Sequence, residues 1–324
     1  MISRRALAAL PGRACGALLA LAAAAPLSAQ DGVAAACASE PMDPAFCRAV
    51  ALGAEALIPA VVVAAEGGNP VPGTASTLGM RLTSMPRWSV AGRLTLAWAS
   101  APDLVERGGG DVLQVTPAVF AIDGTVGVLE GFSPLPTVGG VASLDLLWGA
   151  ALVPLLVSDE LGGSGGWSWA AGARVGLLRE SFTLPGVSVS AMFRQVRDIG
   201  FGDDELETTD AYIRSDVNVV SVRAAATKSI LLLNVTGGVG WDRISGDVEL
   251  GYESLAGFAR ATAPDVVMER VTVFGEVSYT LMVLSFVLGG GWQEGPQLDE
   301  GALAGDEYDA PGTGYASAAL RLAI

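Results

Sequence analysis

Any chemistry in this chain must be done by arginines and carboxylates. Its 324 residues include no histidine. That removes the commonest general base, the usual partner of a serine or cysteine nucleophile, and the commonest metal ligand. What remains are charges in unusual places. Arg93, Asp145, Arg174, Arg194, Arg214, Asp216, Glu276 and Arg321 each fall inside a segment whose alternate positions are apolar. Charges of both signs on one face of a sheet can line a polar lumen, or neutralise one another across it as a packed ionic core. Neither arrangement is catalytic, and no enzyme, cofactor or metal is expected. The glycine run GGSGG is not a phosphate cradle, because no helix start with a lysine follows it.

The elements that must position these charges show a period of two. In RWSVAGRLTLAWAS, Arg87 to Ser100, the residues Trp88, Val90, Leu94, Leu96 and Trp98 share one face. Ser89, Arg93 and Thr95 share the other, as alternate residues of a strand do. The same pattern recurs in VASLDLLWGAAL, GWSWAAGARVGLL, VSVSAMFRQ, ILLLNVTGGVGWD, RVTVFGEVSYTL and the final YASAALRLAI. Trp88, Trp98, Trp148, Trp167, Trp169, Trp241, Tyr279 and Trp292 lie on the apolar face, as aromatic girdles at a membrane interface would.

Turn-rich connectors set strand starts near residues 87, 111, 142, 166, 184, 209, 229, 265, 283 and 312. Short links (FTLPG, ATKS, Met282) alternate with long ones such as SLAGFARATAPDV, and FSPLPTVGG is a rather long member of the short class. The expected fold is all-β: an antiparallel transmembrane β-barrel of about ten strands, with eight or twelve as alternatives. Asp111 to Phe132, interrupted at Asp123-Gly124, reads as one bent strand or as a hairpin; splitting it and adding residues 79–86 would give twelve. Residues 209–225 lose phase near Val219-Val220, which predicts a bulge.

The barrel is assigned to residues 79–324. Residues 1–30 carry Arg4, Arg5 and Arg13, then an apolar run and a small-residue end, the pattern of a secretory signal peptide. Residues 31–78 predict a short helix capped by Asp43, then the loop EGGNPVPGTAST. This segment is a periplasmic cap, a plug inside the barrel, or a mobile leader. Cys37 and Cys47 have no histidine nearby, and an oxidising compartment favours pairing them as a disulfide. Hydrophobic residues make up 51% of the chain, yet after the leader no run of about 20 residues is apolar and free of charge. The net charge of −15, with Lys228 the one lysine, argues against nucleic-acid binding.

Alternation alone does not say which face is inside. A soluble secreted barrel, acting as a binding protein, would bury the apolar face; a membrane barrel would turn it to lipid. The terminal strand GYASAALRLAI resembles the closing strand of bacterial outer-membrane β-barrels in its alternation and in ending on the apolar Ile324, and departs from it in lacking a terminal Phe or Trp. The resemblance covers residues 87–324 as an architecture and points to no single family. It implies a place in the bacterial outer membrane, contact with outer-membrane lipid and lipopolysaccharide, and recognition of the last strand by the barrel-assembly machinery. The acidic clusters Asp203–Asp210 and Asp299–Asp309 then fall in outside loops, as solvated surface or as ligands for divalent cations bridging to lipopolysaccharide. Two functions follow: a small porin-like channel for small solutes or apolar compounds, or a structural or adhesive barrel with a closed, salt-bridged lumen.

Overall fold

The computed structural model describes residues 29–39, 44–79, 87–102, 112–133, 139–157, 163, 165–202, 211–254, 257–296 and 312–324. The leader up to residue 28, both acidic clusters and the centre of FSPLPTVGG lie outside the described residues. Two helices, α1 (Ala29–Ala38) and α2 (Pro44–Glu66), precede ten strands. The strands are β1 (Trp88–Pro102), β2 (Val112–Leu129), β3 (Ser143–Val157), β4 (Trp167–Leu178), β5 (Gly186–Phe201), β6 (Ala211–Ile230), β7 (Leu233–Ser254), β8 (Gly257–Leu281), β9 (Leu284–Gln293) and β10 (Thr313–Ala323).

Each strand pairs with its sequence neighbour, and β1 pairs antiparallel with β10 to close the barrel. The Trp88 and Ile324 backbones exchange hydrogen bonds, so the barrel's two ends meet on one rim. That near rim also carries the turns at 231–232 and 282–283; the ends of β1 and β9 and the starts of β2 and β10 lie at the far rim.

The structure corrects several expectations. Asp111–Phe132 is neither split nor a hairpin: β2 runs through Asp123-Gly124, so the alternatives of eight and twelve strands are not realised. ATKS is strand, and the turn falls at Leu231-Leu232. SLAGFARATAPDV is not a long loop, because β8 begins at Gly257. A register shift opposite Gly246 and Val248 moves the inward set from Ala261 and Ala263 to Val266 and Met268. A bulge of this kind resets the alternation, so the upper half of β8 gives no continuous period-two signal. β6 carries no bulge of its own at Val219-Val220, since it pairs with β7 without interruption from Ala211 to Ile230; the nearby register shift belongs to β5, between Val196 and Ile199 opposite Val217 and Ser215.

What changes at Val219 is polarity. Below it, β6 turns Val220 and Val222 outward and Ser221, Arg223 and Thr227 inward. Above it, Ile213, Val217 and Val219 are buried inside while Arg214 and Asp216 are exposed outside. β7 and β8 behave alike. Val235, Val239, Trp241, Val271, Val273 and Val277 face out below the switch, and Ile244, Val248, Leu250, Val266 and Met268 face in above it. The lower barrel therefore presents an apolar exterior and a polar interior, and the upper wall reverses both. Spanning a bilayer needs about 9–11 strand residues. β9 and β10 have 10 and 11, whereas β6, β7 and β8 have 20, 22 and 25. The excess builds a wall with a polar outer face on one side of the far rim.

Candidate functional site

The lumen is occupied by the chain's own N-terminal segment. α2 touches the adjoining strands β10, β1, β2 and β3 and, across the ring, β6. Ala51, Leu52, Ala54, Leu57, Ile58 and Val61 to Ala65 are all buried. A helix apolar on every side needs a surround on every side, and the upper wall's inward Ile213, Val217, Ile244, Val248 and Met268 share one apolar cluster with it. The disulfide Cys37–Cys47 ties α1 to α2, with Cα atoms 5.5 Å apart, and α1 packs on β8.

The two places where α2 departs from a regular helix are met by arginines. Pro59 lacks the N–H that would bond the Glu55 carbonyl. Arg270 Nη2 donates to that carbonyl at 3.4 Å and pairs with the Glu55 carboxylate at 3.8 Å. At the C-terminus, Gly67 takes φ 60° and its N–H bonds Val63 O at 2.8 Å, a left-handed helix stop. Arg93 donates to Ala65 O at 3.0 Å and Glu66 O at 2.6 Å, satisfying carbonyls the helix leaves free and placing a cation at its negative end. A Cβ at Gly67 would lie 2.8 Å from Arg93 Nε, so this close approach requires glycine.

Beyond the helix, residues 67–79 descend along the lumen wall. Gly68 O accepts from Arg223 Nε at 3.2 Å. The Asn69 side chain and the Gly73 N–H each donate to Glu276 at 2.8 Å. Arg321 donates to Pro72 O at 2.6 Å, and Arg174 to Thr74 O and Ser76 O at 3.1 Å. Thr77 Oγ1 lies 2.5 Å from Ser143 Oγ. Asp145 accepts from the N–H groups of Leu78 and Gly79 and from Arg174, the last at 2.7 Å. In this way the irregular backbone finds the partners that burial demands.

The electrostatics close on themselves. The buried cations among the described residues are Arg93, Arg174, Arg194, Arg223, Arg270 and Arg321. The buried carboxylates are Glu55, Glu66, Asp123, Asp145, Asp242 and Glu276. Arg93 pairs with Asp123 at 3.1 Å, and Arg223 joins Glu66 at 2.5 Å to Asp242 at 2.6 Å. Thr272 and Gln293 add donors to Asp242 at 3.0 and 3.2 Å. The four wall carboxylates balance the six wall arginines only when Glu55 and Glu66 of α2 are added. Arg194 donates to Ser168 Oγ at 2.8 Å and borders a residual cavity of about 10 Å³, room for about one water.

Of the residues expected in the lumen, Arg93, Asp145, Arg174, Arg194, Glu276 and Arg321 are inside and buried. Arg214 and Asp216 are not: they sit above the polarity switch, on the exposed outer face. There Asp216 pairs with Arg197 at 3.2 Å and borders an open groove of about 450 Å³ with Arg214 and Asp247. Six lumen charges were missed: Glu55, Glu66, Asp123, Arg223, Asp242 and Arg270. The aromatics Trp88, Trp98, Trp148, Trp167, Trp169, Trp241, Tyr279 and Trp292 all face outward. Trp98 and Trp292 flank Gly314 at the upper ends of β1 and β9, Trp88 starts β1 at the near rim, and Trp148 lies over Gly124. Trp169 stacks edge-on against Phe193 at 5.7 Å. Among the described residues no cluster of His, Cys, Asp or Glu could hold a metal.

The architecture is that of bacterial outer-membrane β-barrels: a closed antiparallel ring whose lower part has an apolar exterior. No protein-family model and no curated protein matches the chain. Similar solved structures include the outer membrane protease OmpT from Escherichia coli, at 10% identity and a TM-score of 0.40, covering 77% of this chain and all of that one. The translocator domain of autotransporter NalP from Neisseria meningitidis is 9% identical at a TM-score of 0.35, covering 74% of this chain and 90% of that one. The toluene transporter TbuX from Ralstonia pickettii is 13% identical at 0.28, covering 81% and 97%. Likenesses at this level assign neither a family nor an activity.

Proposed function

We propose that this chain is an integral outer-membrane β-barrel whose lumen is held shut by its own N-terminal segment, a structural barrel rather than an open channel. The observation that carries this reading is the joint neutralisation of the lumen, in which Glu55 and Glu66 of α2 complete the balance of the wall arginines. The apolar outer band, with Leu94, Leu96, Phe120, Ile122, Leu146 and Phe286 exposed, supports membrane insertion. A channel would need residues 44–79 to withdraw. That would leave Arg270 without Glu55 and Arg223 without Glu66, and stranding buried charges is strongly unfavourable.

Two measurements test this reading. The full chain, folded into planar bilayers, is expected to give no stable openings; steady ohmic conductance from the unaltered protein would overturn the closed-lumen reading. In cells, the protein is expected in the outer-membrane fraction with heat-modifiable gel migration. Recovery as a soluble periplasmic protein would overturn the membrane reading.

A further inference from the structure

The contacts of residues 44–79 with the wall follow one order. Glu55 meets Arg270, two residues above the level at which Thr272 of β8 pairs with Gln293 of β9, and Gln293 in turn with Thr313 of β10. Glu66 meets Arg223, and Gly68 follows on the same arginine. Pro72 meets Arg321, two residues from the end of β10. Leu78 and Gly79 end on Asp145, the third residue of β3 at the near rim. Apart from Gly73, which returns to the Glu276 carboxylate already met by Asn69, the series runs toward the near rim. Cys47 lies eight residues before Glu55, about 12 Å higher at 1.5 Å per helical residue. Its disulfide holds α1 at that height, against β8.

We propose that the N-terminal segment crosses the barrel from far rim to near rim, so that α1 is presented on the outer side of the membrane. The barrel is then a holder that displays its own disulfide-closed helical hairpin, sheltered by the extended wall of β6 to β8. This inference rests on the membrane reading above. The outward assignment of the far rim follows from two features: the barrel's ends meet at the near rim, and the wall with a polar exterior rises from the far rim. Outer-membrane barrels keep short turns on the periplasmic side and their larger projections outside.

Three single-cysteine variants test it with a membrane-impermeant maleimide on intact cells, each first shown to keep the heat-modifiable band. Ala35→Cys is on the exposed side of α1, Thr262→Cys on the outer face of the far wall, and Leu231→Cys on a near-rim turn where the leucine is 98% exposed. The native pair Cys37–Cys47 is closed as a disulfide and does not react. Labelling of A35C and T262C in intact cells, with L231C reacting only after the outer membrane is permeabilised, is the expected result. Labelling of T262C without A35C in intact cells would overturn the threading while leaving the membrane barrel standing. If T262C also waits for permeabilisation, the far rim does not face outward and the display inference fails, whereas recovery of the protein in the soluble periplasmic fraction would overturn the membrane reading itself.

Discussion

Replacing Arg93 with alanine is expected to destabilise the folded barrel by about 3–5 kcal/mol, the range for breaking a buried ion pair from one side. Arg93 is 2% exposed and does three things at once: it pairs with Asp123, and it satisfies the carbonyls of Ala65 and Glu66 at the end of α2. Its loss strands a buried carboxylate and two helix carbonyls together. Urea unfolding in lipid vesicles, followed by tryptophan emission, measures the change. The double variant R93A/D123N should recover part of it, because the stranded charge is gone. A control sets the scale. Arg243 pairs with Glu269 at 3.4 Å with both side chains 44% exposed, and R243A should cost no more than about 1 kcal/mol. An R93A effect as small as that of R243A would mean that the end of α2 is not seated on the wall.

Substituting Arg223 is expected to have the second large effect, and its pattern is more informative than its size. Arg223 joins Glu66 on the segment to Asp242 on β7. Asp242 keeps Thr272 and Gln293 as donors after the arginine is removed. Arg223 is the guanidinium partner of the Glu66 carboxylate in the wall, so Glu66 is the group left without a cation in the low-dielectric interior. R223A alone should cost about 3–5 kcal/mol by the same reasoning. R223A combined with E66Q should cost clearly less than the sum of the two single variants, with a coupling of roughly 0.5–3 kcal/mol in a double-mutant cycle. Additive effects would show that the segment and the wall do not meet there.

The fold was largely legible because the lower barrel obeys one rule throughout. In β1 the rule holds from Trp88 to Trp98, and Arg93 was found where the alternation places it. The rule failed where its physical basis changes. Above Val219 the exterior is polar and the interior meets an apolar helix, so the same strand carries its charges outside. Arg214 and Asp216 share a face with Val220 and Val222, and they read as internal only when the polarity of the lower barrel is extended past the switch. Arg223 was hidden by the same switch, which reads in sequence as a lost phase. Asp123 was hidden because Asp-Gly is a strong turn signal, although here it lies mid-strand. Arg270 sits at a segment boundary beside the β8 bulge. Glu55 and Glu66 were set apart in the N-terminal region, and nothing in a linear pattern says that a helix will supply the missing charges of a sheet encountered later in the chain.

The seating of the N-terminal segment inside the barrel is the claim on which the rest depends, and a cross-link tests it most directly. Thr77 Oγ1 and Ser143 Oγ are 2.5 Å apart, one at the lower end of the segment and the other on β3. Cysteines at both positions lie within reach of a disulfide, whose Cβ atoms sit about 3.5–4.5 Å apart. The measurement is a non-reducing gel of oxidised T77C/S143C protein carrying a protease site within residues 80–86, cut after folding. The wall pair Thr280 and Ser285, with hydroxyls 2.9 Å apart, serves as a T280C/S285C control. The expected result is that the N-terminal fragment stays covalently bound to the barrel after cleavage and boiling, and is released by reductant. Release without reductant, while the control pair cross-links, would contradict a lumen closed by its own N-terminus.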